Sequence, residues 1–505
     1  MQKGISLLLL LFFYQRVAAQ ILPSEGHELN YRIVGFSFPG RPGDHYQLEI
    51  ARGNQISEDS FQRSVFKKVM LEKNSAIAEV PLFGTAYTWR TVYIDSRGRR
   101  DASALHHFST GICRAADTSV VRFKILQAAT CEKDKYFFLD NSRALFDMDG
   151  QPVWYLPASG EYPNYTVDLK LSPLGTITFI AGNNIYETNF EGKVLWKGPV
   201  TGKVNGERQE GYHHQFSRLA NGNYMVLGIQ HVFARKRWTD DGSQRNVVLD
   251  STGAAESDTN FRKSEFGTIV EYDSAGNVVW SWRSLPYFEA SDLRYRSSGS
   301  ADFLAQTHEN AFFFDEKNKV VYLSLRGCSR ILKIRYPDGK ILREYGEHFL
   351  PSATSHGNGL YKGQHSCKIA RDGSLYLYNN NAGVPGALPQ VVVMREPPND
   401  TGTLVATWKY DCSINDIDSA VVKKPNYGMQ QFAVGGSVDE LPDGSFFVSM
   451  SDPLSKVFVV DRDKKVLWAG LPERWDANRN SWIAHANYRA CAISRQELEQ
   501  MVWNK

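Results

Sequence analysis

The chain has 505 residues, a formal net charge of +3, 22% charged and 42% hydrophobic residues, and six cysteines. So balanced a charge excludes bulk electrostatic capture of nucleic acid or an acidic membrane surface as the basis of function, and leaves any anion specificity to local groups. The length suffices for two domains, and beyond the N-terminus no stretch approaches the roughly 20 apolar residues of a membrane span.

Residues 1–19 read as a secretory signal. Lys3 precedes the apolar run "ISLLLLLFFY", and Val17 and Ala19 fit the small-residue cleavage pattern. The mature chain is expected to start near Gln20 as an exported protein, periplasmic or secreted, with no membrane span after cleavage. Six cysteines in such a compartment point to disulfides.

From residue 20 to 112, short alternating runs ("YRIVGF", "HYQLEI", "AIAEVPL", "RTVYID") are separated by Gly, Pro and polar turns. This pattern predicts a small antiparallel β-sandwich resembling a fibronectin type III module. His106 and His107 read there as ordinary strand residues. A boundary near Cys113 opens the larger domain, 113–505.

That domain repeats itself. A turn followed by an aromatic strand recurs six times, as "DMDGQPVWYL", "NFEGKVLWKG", "YDSAGNVVWSW", "YPDGKILREYG", "NDTGTLVATWKY" and "DRDKKVLWAG". A second turn-and-strand pattern interleaves with it: "LSPLGTITFIAG", "RLANGNYMVLG", "DEKNKVVYLSLRG", "ARDGSLYLYNN" and "LPDGSFFVSMSD". Units of about four short strands predict a six-bladed β-propeller, so the chain as a whole reads as all-β. Residues 231–263 read as a polar loop insertion, and "HANYRACAI" as a segment that joins the first strands, near 122–147, to close the ring.

Residues at equivalent places in successive blades converge on one axis, so phase points to a site. His214 lies eight residues before Gly222, and His365 eight before Gly373. His308 precedes the matching strand of the intervening blade, and Arg326 leaves that strand at its far end. These four side chains are expected to face one cavity, with His213 on the opposite side of its strand as support. Arg offers a fixed fork of donors to a planar pair of anion oxygens, and His serves as donor, base or nucleophile. No carboxylate pair matches this phase, and no P-loop is present, which favours oxyanion transfer without a nucleotide. Two other readings stay open: a three-histidine zinc hydrolase, and a propeller that only binds sulfated glycans or proteins.

The strings "HHQFSRLANGNYMVL", "THENAFFFDEKNKVVYLSLRGCSRILKIRYPDGKILREYG" and "QHSCKIARDGSLYLYNNN" resemble the arylsulfate sulfotransferase family. The resemblance implies transfer of a sulfuryl group from a small-molecule aryl sulfate to a phenolic acceptor, with no cofactor and no metal. It implies a ping-pong path in which His365 carries the group, while His214, His308 and Arg326 bind its oxygens. Either His308 or His214, protonated, is a candidate acid for the departing phenol. Strand alternation brings Cys328 and Cys367 to the sides of Arg326 and His365, which suggests a bridge between them. His348, His356 and His485 are weaker candidates for substrate contact.

Overall fold

The computed structural model describes residues 21–131, 133–200, 210–238, 245–250, 261–288, 303–346, 359–398, 403–417 and 434–503. The expected leader, His348 and His356 lie outside them. The chain divides into two compact units, one up to Ile112 and the other from Cys113. Among the described residues no helix is long and apolar enough to cross a membrane.

In the first unit, strands His27–Leu29, His106–Thr110, Ala86–Ile94, His45–Arg52 and Val65–Leu71 lie side by side, with Arg100–Ala102 added to Ala86–Ile94. Ile33–Ser37 and Ser75–Glu79 form a second, two-stranded sheet. Phe36 of the smaller sheet meets Trp89 and Phe108 of the larger edge-on, at 5.2 and 5.9 Å. The pairing is not wholly antiparallel as expected: His27–Leu29 runs parallel to His106–Thr110. His107 is a structural residue here, held by Glu25 at 2.8 Å and the Gln55 carbonyl at 3.0 Å.

The second unit is a succession of antiparallel sheets with propeller-like, four-stranded cores. The first holds Lys135–Leu139, Ala144–Asp147 and Pro152–Tyr155, joined by the C-terminal Ala490–Ser494. The second runs Val167–Leu171, Ile177–Ala181, Asn184–Thr188, Val194–Lys197, and the third begins Glu210–Arg218, Tyr224–Trp238, Phe261–Tyr272, Val278–Arg283. The fourth runs Glu309–Asp315, Val320–Leu325, Arg330–Arg335, Ile341–Gly346, and the fifth His365–Ile369, Leu375–Asn379, Gln390–Arg395, Val405–Asp411. The sixth holds Ser437–Glu440, Phe446–Ser449, Val457–Val460 and Val466–Asp476, extended by Ser481–Ala484 and Val121–Gln127.

The expected closure is half right. Ala490–Ser494 pairs with Lys135–Leu139, from Ala490 opposite Leu139 to Ser494 opposite Lys135. Val121–Gln127, however, belongs to the sixth sheet, where it pairs with Val466–Asp476. Its burial pattern alternates exposed and half-buried residues, as suits an outer edge.

The six repeated aromatic positions act as staples between neighbours. Trp154, Trp196, Trp280, Trp408 and Trp468 each donate an indole N–H to a turn carbonyl of the next sheet: Phe190, Ser274, Pro337, Arg462 and Met148. In the fourth sheet Tyr345 takes this part, its hydroxyl donating to Glu396 of the fifth. Since Met148 belongs to the first sheet, the succession returns to its start.

A second circuit joins the strand that opens each sheet. The Asp168 N–H donates to Asp140 (3.3 Å), and the Phe216 N–H to Asp168 (2.9 Å). Gln215 exchanges two bonds with the Phe312 backbone, and Asn310 donates to the Gln364 carbonyl at 2.7 Å. The Val438 N–H donates to Ser366 Oγ, and the Ala490 N–H to Ser437 Oγ. Asp168, Gln215, Ser366 and Ser437 each lie seven residues before a turn glycine: Gly175, Gly222, Gly373 and Gly444. At the hub Arg489, 7% exposed, donates to Asp168 (2.9 Å), Gln215 (3.4 Å) and the Asn310 carbonyl.

Two sequence expectations are corrected here. The described residues of the segment expected as a loop insertion, 231–263, are strand: Tyr224–Trp238 runs into it as far as Trp238, pairing with Phe261–Tyr272 and Arg245–Asp250. Val232, Phe233 and Trp238 in "HVFARKRW" and Val247 and Val248 in "RNVVLD" supply the strand propensity among the polar residues. Cys328 and Cys367 form no bridge. Cys328 packs in the apolar layer with Leu323 and Leu325, between the third and fourth sheets, whereas Cys367 packs with Tyr322 and Leu377, between the fourth and fifth. The fourth sheet therefore separates the two sulfurs.

The hub yields a stability prediction. Arg489→Leu strips Asp168 of one of its two cations, with Lys170 remaining at 2.6 Å, and should lower the unfolding free energy by about 3 kcal/mol; adding Asp168→Asn strands Lys170 as well and should deepen the loss. Urea unfolding of the full-length variants measures both, and a loss below about 1 kcal/mol would refute the hub.

Candidate functional site

The opening strands do not run regularly. Register shifts interrupt the second sheet between Val167 and Lys170, the third between Tyr212 and Phe216, the fourth between Glu309 and Ala311, and the fifth between His365 and Lys368. At or beside these bulges Asp168, His214, His308 and Ser366 adopt left-handed φ values of 56°, 58°, 50° and 54°. Each such non-glycine residue costs on the order of 1–2 kcal/mol, and a bulge re-aims the side chain it carries. Four of them on neighbouring opening strands mark a place where geometry is held against local preference.

The structure brings the four residues singled out by phase near one another, although of the four only His214 lines the described cavity. His308 immediately precedes Glu309–Asp315, and Arg326 begins the turn after Val320–Leu325. The two are joined across the hairpin by a 3.0 Å bond from the Arg326 N–H to the His308 carbonyl. The His214 ring stands 4.8 Å from that of His308 in an edge-on arrangement. His365 opens the fifth sheet and is 1% exposed. Beside the fourth-sheet bulge it is left-handed His308 that meets His214, while Glu309 accepts from Thr307 (2.7 Å). One detail departs from expectation. His213 does not point away from the site, because left-handed His214 breaks the alternation and both rings line one cavity.

Sequence reasoning missed three residues here. Tyr488 stands between His214 and His365, with ring centroids at 5.9 and 6.4 Å, and its hydroxyl is buried without a hydrogen-bond partner among the described residues. Asn380 accepts from His365 Nδ1 at 2.7 Å and donates its amide to the Gly435 carbonyl at 3.0 Å. The Gly435 N–H in turn donates to His365 Nε2 at 3.2 Å. Gly435 has φ +60°, and a Cβ there would come within 2.8 Å of Tyr488, so the approach demands glycine. "NNN" and "HANYRACAI" carried Asn380 and Tyr488 in plain view, but nothing in their spacing tied them to the histidines. His485 lies elsewhere, lining a different cavity with Arg143 and Arg122.

These bonds assign the His365 tautomer: Nδ1 carries the proton toward Asn380, and Nε2 keeps its lone pair. Burial, followed by the Arg326 guanidinium, holds His365 well below the ordinary histidine range. His214 is likewise pushed well down by burial and by its histidine neighbours. His308 is pushed down to about 3 by burial and by Arg326. The protonated His308 or His214 expected from sequence is therefore disfavoured in this site, where desolvation outweighs any gain from charge. Tyr488 is pushed up to about 12 by burial and stays a hydroxyl donor. The result is one guanidinium, neutral imidazoles and an unsatisfied phenol around a single lone-pair nitrogen, suited to a monoanion with several oxygens. Among the described residues no three His, Cys, Asp or Glu side chains are arranged to hold a metal.

Comparison with known proteins adds a family. A family model described as Arylsulfotransferase (ASST) matches residues 125–255 and 243–397, together more than half of the chain. No curated protein matches the sequence. Among solved structures, a protein of unknown function from Bacteroides caccae is 13% identical, with 74% of this chain and 99% of that one covered at a TM-score of 0.38. A putative 6-phosphogluconolactonase from Bacteroides fragilis is 11% identical, with 90% and 100% covered at a TM-score of 0.29. Likenesses so remote carry no functional weight.

The electrostatics predict that His308 and His365 stay neutral in solution down to about pH 5, well past the ordinary histidine pKa. Removing the positive neighbour in Arg326→Gln should raise both values. Ring-nitrogen chemical shifts in a pH titration report this, and titration of both rings near the ordinary value would contradict it.

Proposed function

The chain belongs to the arylsulfotransferase family, and from that premise, which implies aryl sulfate transfer without a nucleotide donor, we propose a ping-pong mechanism through sulfurylated His365. The second unit is read as a six-bladed β-propeller and the first as a β-sandwich. The leader-like segment supports an exported location. The observation that carries the mechanism is the tautomer of His365, a buried neutral imidazole whose Nε2 lone pair is directed by Asn380.

In the first half-reaction His365 Nε2 attacks sulfur, the N–S bond forms, and the S–O bond to the aryl group breaks with its electron pair leaving on the phenolic oxygen. The Gly435 N–H, held to Nε2 by a long 3.2 Å bond, must release as the lone pair is used. Arg326 stands opposite the monoanionic sulfuryl oxygens, and Tyr488 supplies a hydroxyl that has no other partner among the described residues. By analogy with phosphoryl transfer the transition state is loose, so positioning and charge complementarity supply most of the rate. An acceptor phenol then attacks the sulfur on His365 and the steps reverse. Sulfate monoesters carry one negative charge, which a single guanidinium matches, while Arg489 is already paired with Asp168 at 2.9 Å.

Two expectations follow. Phenol should be released in a burst from 4-nitrophenyl sulfate without acceptor, with parallel double-reciprocal plots when acceptor is varied; intersecting plots with no burst would contradict the mechanism. Because His365 must be unprotonated and its pKa is depressed, activity should persist as pH falls through the ordinary histidine range. An acid limb centred on the ordinary histidine pKa, near 6.5, would contradict the buried neutral nucleophile.

A further inference from the structure

Two hydrogen bonds of His213 determine where the proton of His214 sits. His213 Nε2 lies 2.9 Å from the Gly228 carbonyl oxygen, which can only accept, so Nε2 holds the proton. Burial pushes the His213 pKa down to about 4, so the ring is neutral and Nδ1 keeps a lone pair. That lone pair faces His214 Nδ1, which must be the donor of the bond between the rings. By elimination His214 Nε2 is a lone pair. It has no hydrogen-bond partner among the described residues, and its ring lines a cavity of about 290 Å³ together with Tyr165 and Tyr488.

A lone pair repels a sulfuryl oxygen but suits a phenolic O–H. We propose that His213 is a positioning residue that sets His214 as the base for the acceptor hydroxyl, and that the Gly228 carbonyl anchors this relay. The inference rests on the sulfuryl-transfer reading of the site. As the acceptor oxygen attacks sulfur, the new O–S bond forms, the S–N bond to His365 breaks and its electron pair returns to Nε2, while the acceptor proton passes to His214 Nε2. With no anion bound, burial disfavours its charge and His214 sheds that proton to solvent; it takes one up again as the sulfate anion of the next donor offsets the charge, and passes it to the phenolic oxygen as the O–S bond breaks. Over a full cycle one proton moves from acceptor phenol to donor phenol, and none is consumed. The arrangement follows the logic of a catalytic triad, with a carbonyl in place of the carboxylate that orients the intermediate ring.

The test compares two donors with one acceptor in full-length His213→Leu and His213→Gln. Phenyl sulfate has a poor leaving group that needs a proton, whereas 4-nitrophenolate leaves without one. Removing proton transfer typically costs on the order of 100-fold or more, so Leu should lower kcat/KM for phenyl sulfate, which reports the donor half-reaction alone, by about that factor more than kcat/KM for 4-nitrophenyl sulfate. Gln, which can still donate to Gly228 and accept from His214, should restore most of the ratio between the donors. His214→Ala should show the same skew as Leu. Equal losses with both donors would mean that His213 only supports the fold, and would overturn the inference while leaving the transfer reading intact. A wild-type protein that transfers from neither donor would overturn both. Should Leu fail to fold, Gln and His214→Ala decide alone: an unskewed His214→Ala overturns the proposal.

Discussion

The buried pair of Arg489 and Asp168 is the interaction on which the rest of the second unit depends. Its two groups are 7% and 5% exposed, and through Asp140, Gln215 and Asn310 it reaches the opening strands of four sheets. A charge so buried is tolerated only when it is paired, and the bonds of both terminal guanidinium nitrogens tie those strands together. The outer aromatic staples then hold the sheet edges. Inner bonds set register and outer bonds set separation, and the histidines take their positions from both.

That support allows the site to hold unfavourable local states. Left-handed His214 and His308, bulged strands and desolvated imidazoles each cost free energy that the surrounding bonds offset. The return is chemical. Burial keeps His365 neutral, so its lone pair is available at pH values where an exposed histidine would be largely protonated. Arg326 reinforces this, because a fixed positive charge nearby opposes imidazolium and attracts the anion that the site is suited to hold.

Much of this organisation was legible in the sequence, and the boundary of legibility is physical. The six aromatic turns repeat because each staple needs an indole or phenol at one strand position, so "VLW" and its variants mark the sheets directly. Phase pointed to His214, His308, Arg326 and His365 for the same reason, although the bulges beside the histidines carry no sequence signature. It failed for Tyr488 and Asn380 because they reach the histidines from other strands, where only folding brings them close. Alternation misplaced Cys328 and Cys367 by assuming one regular surface, whereas they sit on opposite faces of the fourth sheet. The polar link residues seven places before each turn glycine were readable, but Asp, Gln and Ser share no chemistry that a motif would show.

The central claim is that His365 itself carries the sulfuryl group. The most direct measurement is intact mass followed by peptide mapping after brief mixing with 4-nitrophenyl sulfate without acceptor, beside His365→Asn. The account predicts one added sulfuryl group on the peptide that contains His365, absent from the variant and discharged by phenol. Rapid phenol release with no adduct, or an adduct that persists in His365→Asn, would contradict it.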